Sequence, residues 1–120
     1  MARFYCGAGI IPVNGDYMLV MLETRKDAIC PSYIDIGGKK ELNDRSCWET
    51  ALREFSEEAP GLPLPEKSRI KGKAWNKRGK YACFFVHYPA IPAPEGFKWV
   101  KSLDELDKPA HKRLLGILRR

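Results

Sequence analysis

The chain has 120 residues, 44% hydrophobic and 30% charged, with 21 Lys and Arg against 15 Asp and Glu for a net charge of +6. That is enough for one compact domain around one core and too little for two, so a single domain over residues 1–120 is expected. No apolar run approaches the roughly 20 residues that span a bilayer, and "MARFYCGAGIIPV" lacks a signal-like apolar segment with cleavage chemistry, which argues against a membrane protein and for the cytoplasm.

The chain opens with "FYCGAGIIPV" (4–13), turn residues "NGD" (14–16) and the apolar run "YMLVMLE" (17–23), which together predict a β-hairpin. A polar loop follows that holds Arg25, Lys26 and Asp27. "SYIDI" (32–36) then alternates apolar and polar and runs into Gly37-Gly38, predicting a strand that ends in a turn where the backbone is open to close approach. "KKELNDR" (39–45) is a charged loop. Ser46 with Glu49 three residues later makes a capping box that starts a helix near Cys47, and Pro60 ends it.

Along that helix Trp48, Ala51, Leu52, Phe55 and Ala59 follow the i, i+3, i+4, i+7 rule and would bury one face against a sheet. Glu54, Glu57 and Glu58 are left grouped on another face. Like charges at these spacings each cost an isolated helix roughly 0.2 to 0.5 kcal/mol, so the cluster wants a solvated surface or a cation.

"RIKGKAWN" (69–76), the turn "KRGK" (77–80) and "YACFFVHYPAI" (81–91) predict a second strand, turn, strand unit. The loop "PAPEG" (92–96) precedes a short strand "FKWVK" (97–101). A helical turn at "SLDEL", capped by Ser102, and a basic amphipathic helix "PAHKRLLGILRR" close the chain. The order of elements predicts an α/β fold, a mixed central sheet flanked by helices.

The four cysteines, Cys6, Cys30, Cys47 and Cys83, form no CxxC pair and sit among apolar residues, so they read as reduced core fillers. Basic residues gather at 69–80 and 111–120 and acidic ones between 41 and 66, a negative island in a positive field that suits a divalent cation with a phosphate-rich ligand.

Gly38, the charged loop, "REFSEE" (53–58) and Gly61-Leu62 together resemble the Nudix box of Nudix hydrolases, G-x5-E-x7-R-E-U-x-E-E-x-G-U with U a bulky aliphatic residue. Arg53, Glu54, Glu57 and Glu58 fit in register, with Phe55 at the first U. Two departures stand out: one extra residue lies between Gly38 and Arg53, and Pro60 adds one before Gly61. Counting forward from Gly38 puts Asp44 at the first acidic position; counting back from Arg53 puts Arg45 there. The extra residue is best placed in the loop before Ser46, because an insertion in the helix would rotate the carboxylates off their common face.

The resemblance implies a Nudix-type α/β/α sandwich and a Mg²⁺- or Mn²⁺-dependent pyrophosphohydrolase. By it, Gly38, Glu54, Glu57 and Glu58 hold the metal, hard oxygen donors of the kind these ions take. Glu54 is the first choice for general base and Glu95, in the loop before "FKWV", the second; Arg53 pairs with Glu57 and orients it. Lys39 and Arg25 are candidates for phosphate contacts, with a solvated basic side chain as the plain alternative. Trp75 is a candidate for stacking on a base, although an aromatic in a strand is more often core. His87 and His111 have no partner at metal-ligand spacing and receive no role.

The implied substrate is a nucleoside diphosphate linked to another group. The short chain favours a compact nucleotide such as a nucleoside triphosphate, while the basic segments favour a longer anion, the 5′ end of a capped RNA or a dinucleoside polyphosphate, bound salt-sensitively. The reading from a different class is a Nudix-fold nucleotide- or RNA-binding module without turnover.

Overall fold

The computed structural model describes residues 4–23, 32–76 and 79–101. In chain order these form β1 (Gly7–Asn14), β2 (Tyr17–Glu23), β3 (Ser32–Ile34), β4 (Ile36–Lys39), α1 (Cys47–Glu58), a 3₁₀ turn (Lys67–Arg69), β5 (Ile70–Asn76), β6 (Tyr81–His87) and β7 (Phe97–Val100). The expected Ser102 cap, the closing helix with His111, Arg25 and Cys30 lie outside the described residues.

All seven strands join one mixed sheet. β1 and β2 form the expected hairpin, pairing Val13 with Met18 and Asn14 with Tyr17. Beyond those rungs the two strands part, and the 32–39 segment fills the gap between them. Met21 pairs at once with Ile34 and Phe97, so β3 and β7 lie on opposite edges of β2. Ile10 pairs at once with Ile36 and Phe84, so β4 and β6 flank β1. β1 and β6 run parallel, from Gly7 with Tyr81 to Val13 with His87, and β5 pairs antiparallel with β6 on its far side.

Two details of the 32–39 segment differ from the reading of the sequence. The strand breaks at Asp35, and Gly37-Gly38 do not form a turn: they stay in β4, opposite Gly9 and Ala8 of β1. The cause is a polar inclusion. Asp35 is buried, and its Oδ2 accepts a hydrogen bond from the Tyr81 hydroxyl at 2.7 Å. Tyr81 lies along β1 to reach it, over space that side chains at Gly7, Gly9 or Gly37 would occupy. The glycines serve close packing inside the sheet.

α1 starts as predicted, with Ser46 Oγ accepting the Glu49 N–H at 3.1 Å. The reciprocal half of the box is displaced by one residue, since the Glu49 carboxylate takes the N–H of Arg45 at 3.4 Å and its Nε at 3.0 Å. Ala51, Phe55 and Ala59 are buried, with Trp48 packed beside them, against Ala8, Ile10, Ile36, Ala82, Phe84, Val86 and Tyr88. Edge-to-face contacts of Trp48 with Phe84 (5.3 Å) and Phe55 with Tyr88 (5.9 Å) close this layer. Ile11, Val20, Cys83 and Val100 form a second cluster.

Of the cysteines, Cys83 is a buried filler, whose thiol burial pushes well above its ordinary pKa, and Cys47 is half-buried. Cys6 corrects the expectation: it is exposed, just ahead of β1. Among the described residues no helix is long and apolar enough to cross a membrane.

Candidate functional site: a carboxylate helix against a bare strand

α1 packs on β1 and β4 so that Glu54 meets the backbone of Gly38. A Cβ at Gly38 would fall within the Glu54 carboxylate, so only glycine lets the two approach. The Glu54 side chain is 12% exposed whereas that of Glu57 is 53% exposed, and Glu58 is also exposed. The cluster is therefore graded, with one carboxylate against the sheet and two facing solvent. Burial raises the Glu54 carboxyl pKa, an effect that nearby Arg53 opposes and that Glu57 and Glu58 reinforce.

Arg53 is the hub of the site. Its Nε–H donates to Asp44 Oδ1 at 3.1 Å and its Nη2 to Asp44 Oδ2 at 2.9 Å, a two-pronged pair that positions a guanidinium better than a single contact. Nη2 also donates to the carbonyl of Lys39 at 2.9 Å. Nη1 reaches both Glu57 oxygens at 3.2 and 3.3 Å, Glu54 Oε1 at 3.4 Å and Glu41 Oε1 at 3.3 Å. The expected Arg53–Glu57 pair is present, within a larger network.

The two residues between which the counts divide make different contacts. Asp44 takes Arg53, while Arg45 turns outward to Glu49, with its side chain 86% exposed. The extra residue is absorbed before the Ser46 cap. Pro60 lies past the last helical turn, where the Ala59 N–H closes on Phe55, so neither departure disturbs the spacing of Glu54, Glu57 and Glu58.

The Arg53 hydrogen bonds hold Asp44 well below the usual carboxylate range, and Asp44 in turn makes Arg53 more basic than usual. A depressed carboxylate stabilises the fold fully above its ordinary pKa of 3.8, and the contribution is lost as pH falls through the depressed value. Asp44→Asn is expected to cost about 1 to 3 kcal/mol near neutral pH, because it leaves a largely buried guanidinium short of its carboxylate. The gap to wild type should hold down to about pH 4 and narrow below it, as urea midpoints across that range would show.

The other candidates are more scattered. Lys39 is exposed at the end of β4; strand alternation turns its side chain to the sheet face opposite Gly38's, and what reaches the site is its carbonyl. Glu95 is exposed in the turn before β7, beside the end of β2, where the Gly96 carbonyl accepts the Leu22 N–H. Trp75 sits in the rung Gly38, Ala8, Ala82, Trp75, about 14 Å from Gly38 at the usual strand spacing. It packs partly buried on the core, with Lys73 Nζ 5.1 Å from its ring centre.

Missed in the sequence are Thr50 and Tyr5. Thr50 is fully buried on α1, its hydroxyl 2.9 Å from Asp44 Oδ2 and 2.9 Å from the Tyr5 hydroxyl. A polar residue on the helix face that turns inward was the available signal.

Among the described residues no three His, Cys, Asp or Glu side chains stand gathered around one point as a ready metal cage. The donor set nevertheless fits a hard cation. Magnesium binds through one or two carboxylates, with waters and substrate phosphates completing its shell, and Glu54, Glu57 and Glu58 offer oxygens beside a strand end stripped of side chains.

The fold has counterparts among solved structures. A Nudix hydrolase from Nitrosomonas europaea superposes with a TM-score of 0.57 at 19% identity, over 95% of this chain and 70% of that one. The Ap4A hydrolase of C. elegans does so with a TM-score of 0.55 at 17% identity, over 95% and 92%. The chain has the Nudix fold. A third structure with this likeness, the C-terminal domain of mouse MUTYH in complex with human PCNA, matches at a TM-score of 0.55 and 15% identity over 90% of this chain and 83% of that one. By sequence, no family model and no curated protein matches the chain. Within the Nudix fold, α1 is the segment whose sequence resembles the family box, and Gly38 is the strand residue against which it packs.

Proposed function

We propose that the protein is a divalent-metal-dependent pyrophosphohydrolase that cleaves a diphosphate linkage in a nucleotide, acting as a single domain. The observation that carries this reading is the apposition of Glu54 to the bare backbone of Gly38, with Glu57 and Glu58 one turn further along the same helix. Glu54, Glu57, Glu58 and the Gly38 carbonyl would hold Mg²⁺ or Mn²⁺. When bound, the ion neutralises charge on the phosphoryl oxygens and acidifies water.

The chain's own groups do the rest. Glu54 takes the proton of the attacking water on a carboxylate oxygen as the new P–O bond forms and the bridging P–O bond breaks, the leaving phosphate keeping the bridging oxygen. Burial suits Glu54 to this task, because a raised pKa makes a stronger base. Glu95 is the second choice of base. Arg53 holds Glu57 in one orientation. Arg25 is a proposed substrate contact for phosphates and Trp75 for the base; Lys39, whose side chain leaves the sheet on the other face, is not retained in that role.

The likeness to an Ap4A hydrolase and to Nudix hydrolases supports a nucleotide substrate; nucleoside triphosphates, dinucleoside polyphosphates and the 5′ end of capped RNA all present the required linkage. One observation favours the second reading, a Nudix-fold binding module without turnover: Arg53 already engages both oxygens of Glu57.

The test is phosphate release from nucleoside triphosphates, ADP-ribose, dinucleoside polyphosphates and capped RNA with Mg²⁺ or Mn²⁺. The hydrolase reading expects turnover of at least one, abolished by EDTA and lowered about 10²-fold or more in Glu57→Gln and Glu58→Gln. No turnover, with retained binding in EDTA, establishes the binding module. Full activity in both variants refutes the site.

A further inference from the structure

We propose that Tyr5 and Thr50 are positioning residues of the carboxylate site: their hydroxyls form a buried chain that fixes Asp44, through it the Arg53 guanidinium, and through that the Glu57 carboxylate. The inference rests on the reading of Glu57 as a metal ligand. It adds two residues that neither contact substrate nor occupy a specified position of the box.

The direction of the chain follows from proton counting. Thr50 has one hydroxyl proton, and its oxygen lies 2.9 Å from Asp44 Oδ2 and 3.3 Å from the Ser46 carbonyl. The carboxylate is ionised and closer, so it takes that proton, because hydrogen bonds to charged acceptors are the stronger ones. The Tyr5 hydroxyl, 2.9 Å from Thr50 Oγ1, must then donate. Asp44 Oδ2 also accepts the Glu41 N–H at 2.8 Å. Its oxygens are thereby aimed before Arg53 arrives at 3.1 and 2.9 Å, and Arg53 passes that placement on to Glu57 at 3.2 and 3.3 Å.

Tyr5 is well placed to act as the anchor of this chain. It is buried just ahead of β1. The Lys40 ammonium lies 4.7 Å from its ring centre, and the Lys40 N–H donates to the Cys6 carbonyl at 2.9 Å. One residue thus ties three segments together: the lead-in to β1, the loop that carries Asp44, and α1. The loop holds the extra residue of the box, and a longer loop needs an added restraint to present its acid at one place. Thr50 is the helix position that provides it. A merely apolar residue there would fill the same space and leave Asp44 Oδ2 to the Glu41 N–H and Arg53, without the buried hydroxyl that fixes it from the helix side.

The test uses the full chain with Thr50→Val, which keeps the shape and removes the hydroxyl, Thr50→Ser, which keeps the hydroxyl, and Tyr5→Phe. Three quantities are read: solvent exchange of the Arg53 Nε–H by NMR without metal, Mn²⁺ affinity by EPR of the free ion, and kcat against KM on a substrate that is turned over. Thr50→Val is expected to speed Arg53 exchange and weaken Mn²⁺ binding about tenfold, the low end for groups that orient a metal ligand. kcat should fall with KM little changed, and Thr50→Ser should restore all three. Tyr5→Phe should shift them about threefold and add nothing when combined with Thr50→Val.

Unchanged Arg53 exchange and Mn²⁺ affinity in Thr50→Val overturn the proposal, even if the melting temperature falls, since the chain is then only structural. If the wild type itself takes up no Mn²⁺, the reading of the site fails; Arg53 exchange then decides the chain alone, faster in Thr50→Val supporting it and unchanged refuting it. Should Thr50→Val not fold, Tyr5→Phe is read against the same outcomes.

Discussion

Glu54→Gln is expected to lower hydrolysis by about 10²- to 10⁴-fold, the range over which a positioned base contributes, while the protein stays folded. Glutamine keeps the shape that fits against Gly38 and removes only the ability to take a proton and to hold a cation. The sign of the accompanying stability change is fixed by linkage. Burial raises the Glu54 pKa, so the folded state binds its proton more tightly than the unfolded chain, and ionising Glu54 costs stability as pH rises through that window. A neutral glutamine escapes this cost. The variant should therefore melt no lower than wild type near neutral pH, with any advantage shrinking as the solution is acidified. Phosphate release and melting curves on the same preparation check both halves. Activity within about threefold of wild type would remove Glu54 as base, and if Glu95→Gln were then the inactive variant, that role would pass to Glu95.

The second large effect is on the sheet. Gly37→Ala is expected to destabilise the protein by about 3 kcal/mol or more. The new Cβ would fall on the Cα of Gly9, against the Ala8 carbonyl oxygen at 2.5 Å, and on the Tyr81 hydroxyl. Two of these are backbone atoms of the neighbouring strand, which cannot rotate aside as a side chain would. The β1–β4 rungs would have to open, carrying Gly38 away from Glu54. Gly72→Ala is the control: nothing lies within 4 Å of its added Cβ, and its effect should stay within about 0.5 kcal/mol. Urea unfolding of the two variants distinguishes them, and comparable losses would mean that the close approach of β1 and β4 is unimportant.

The hairpin, the Ser46 cap, the inward stripe of α1 and the edge strand β7 could be read from the sequence because each is written in residues a few positions apart. Glu54 beside Gly38 was accessible through resemblance to a known box, and the fold agrees. What escaped reading depends on residues distant in the chain. Asp35 looked like the polar member of an alternating strand, yet it is buried because Tyr81, from β6, covers it. Gly37-Gly38 carry the mark of a turn equally well as that of a tight strand pair, and only β1 decides. The choice between Asp44 and Arg45 rested on counting, whereas in space it rests on which one the Arg53 fork can meet. Lys39 was read for its ammonium and contributes its carbonyl. Arg25 falls outside the described residues.

The insertion of the 32–39 segment between the parting arms of the first hairpin has a kinetic side. β1 completes its two edges with β4 and with β6, and β6 is made late on the ribosome. Helix α1, with its own cap, can wind within a nascent chain, whereas the strand it must face has no complete sheet to sit in until β6 has emerged. Closing such distant pairings is slow, so acquisition of activity after dilution from urea should lag behind the recovery of helical signal, with sheet closure setting the pace.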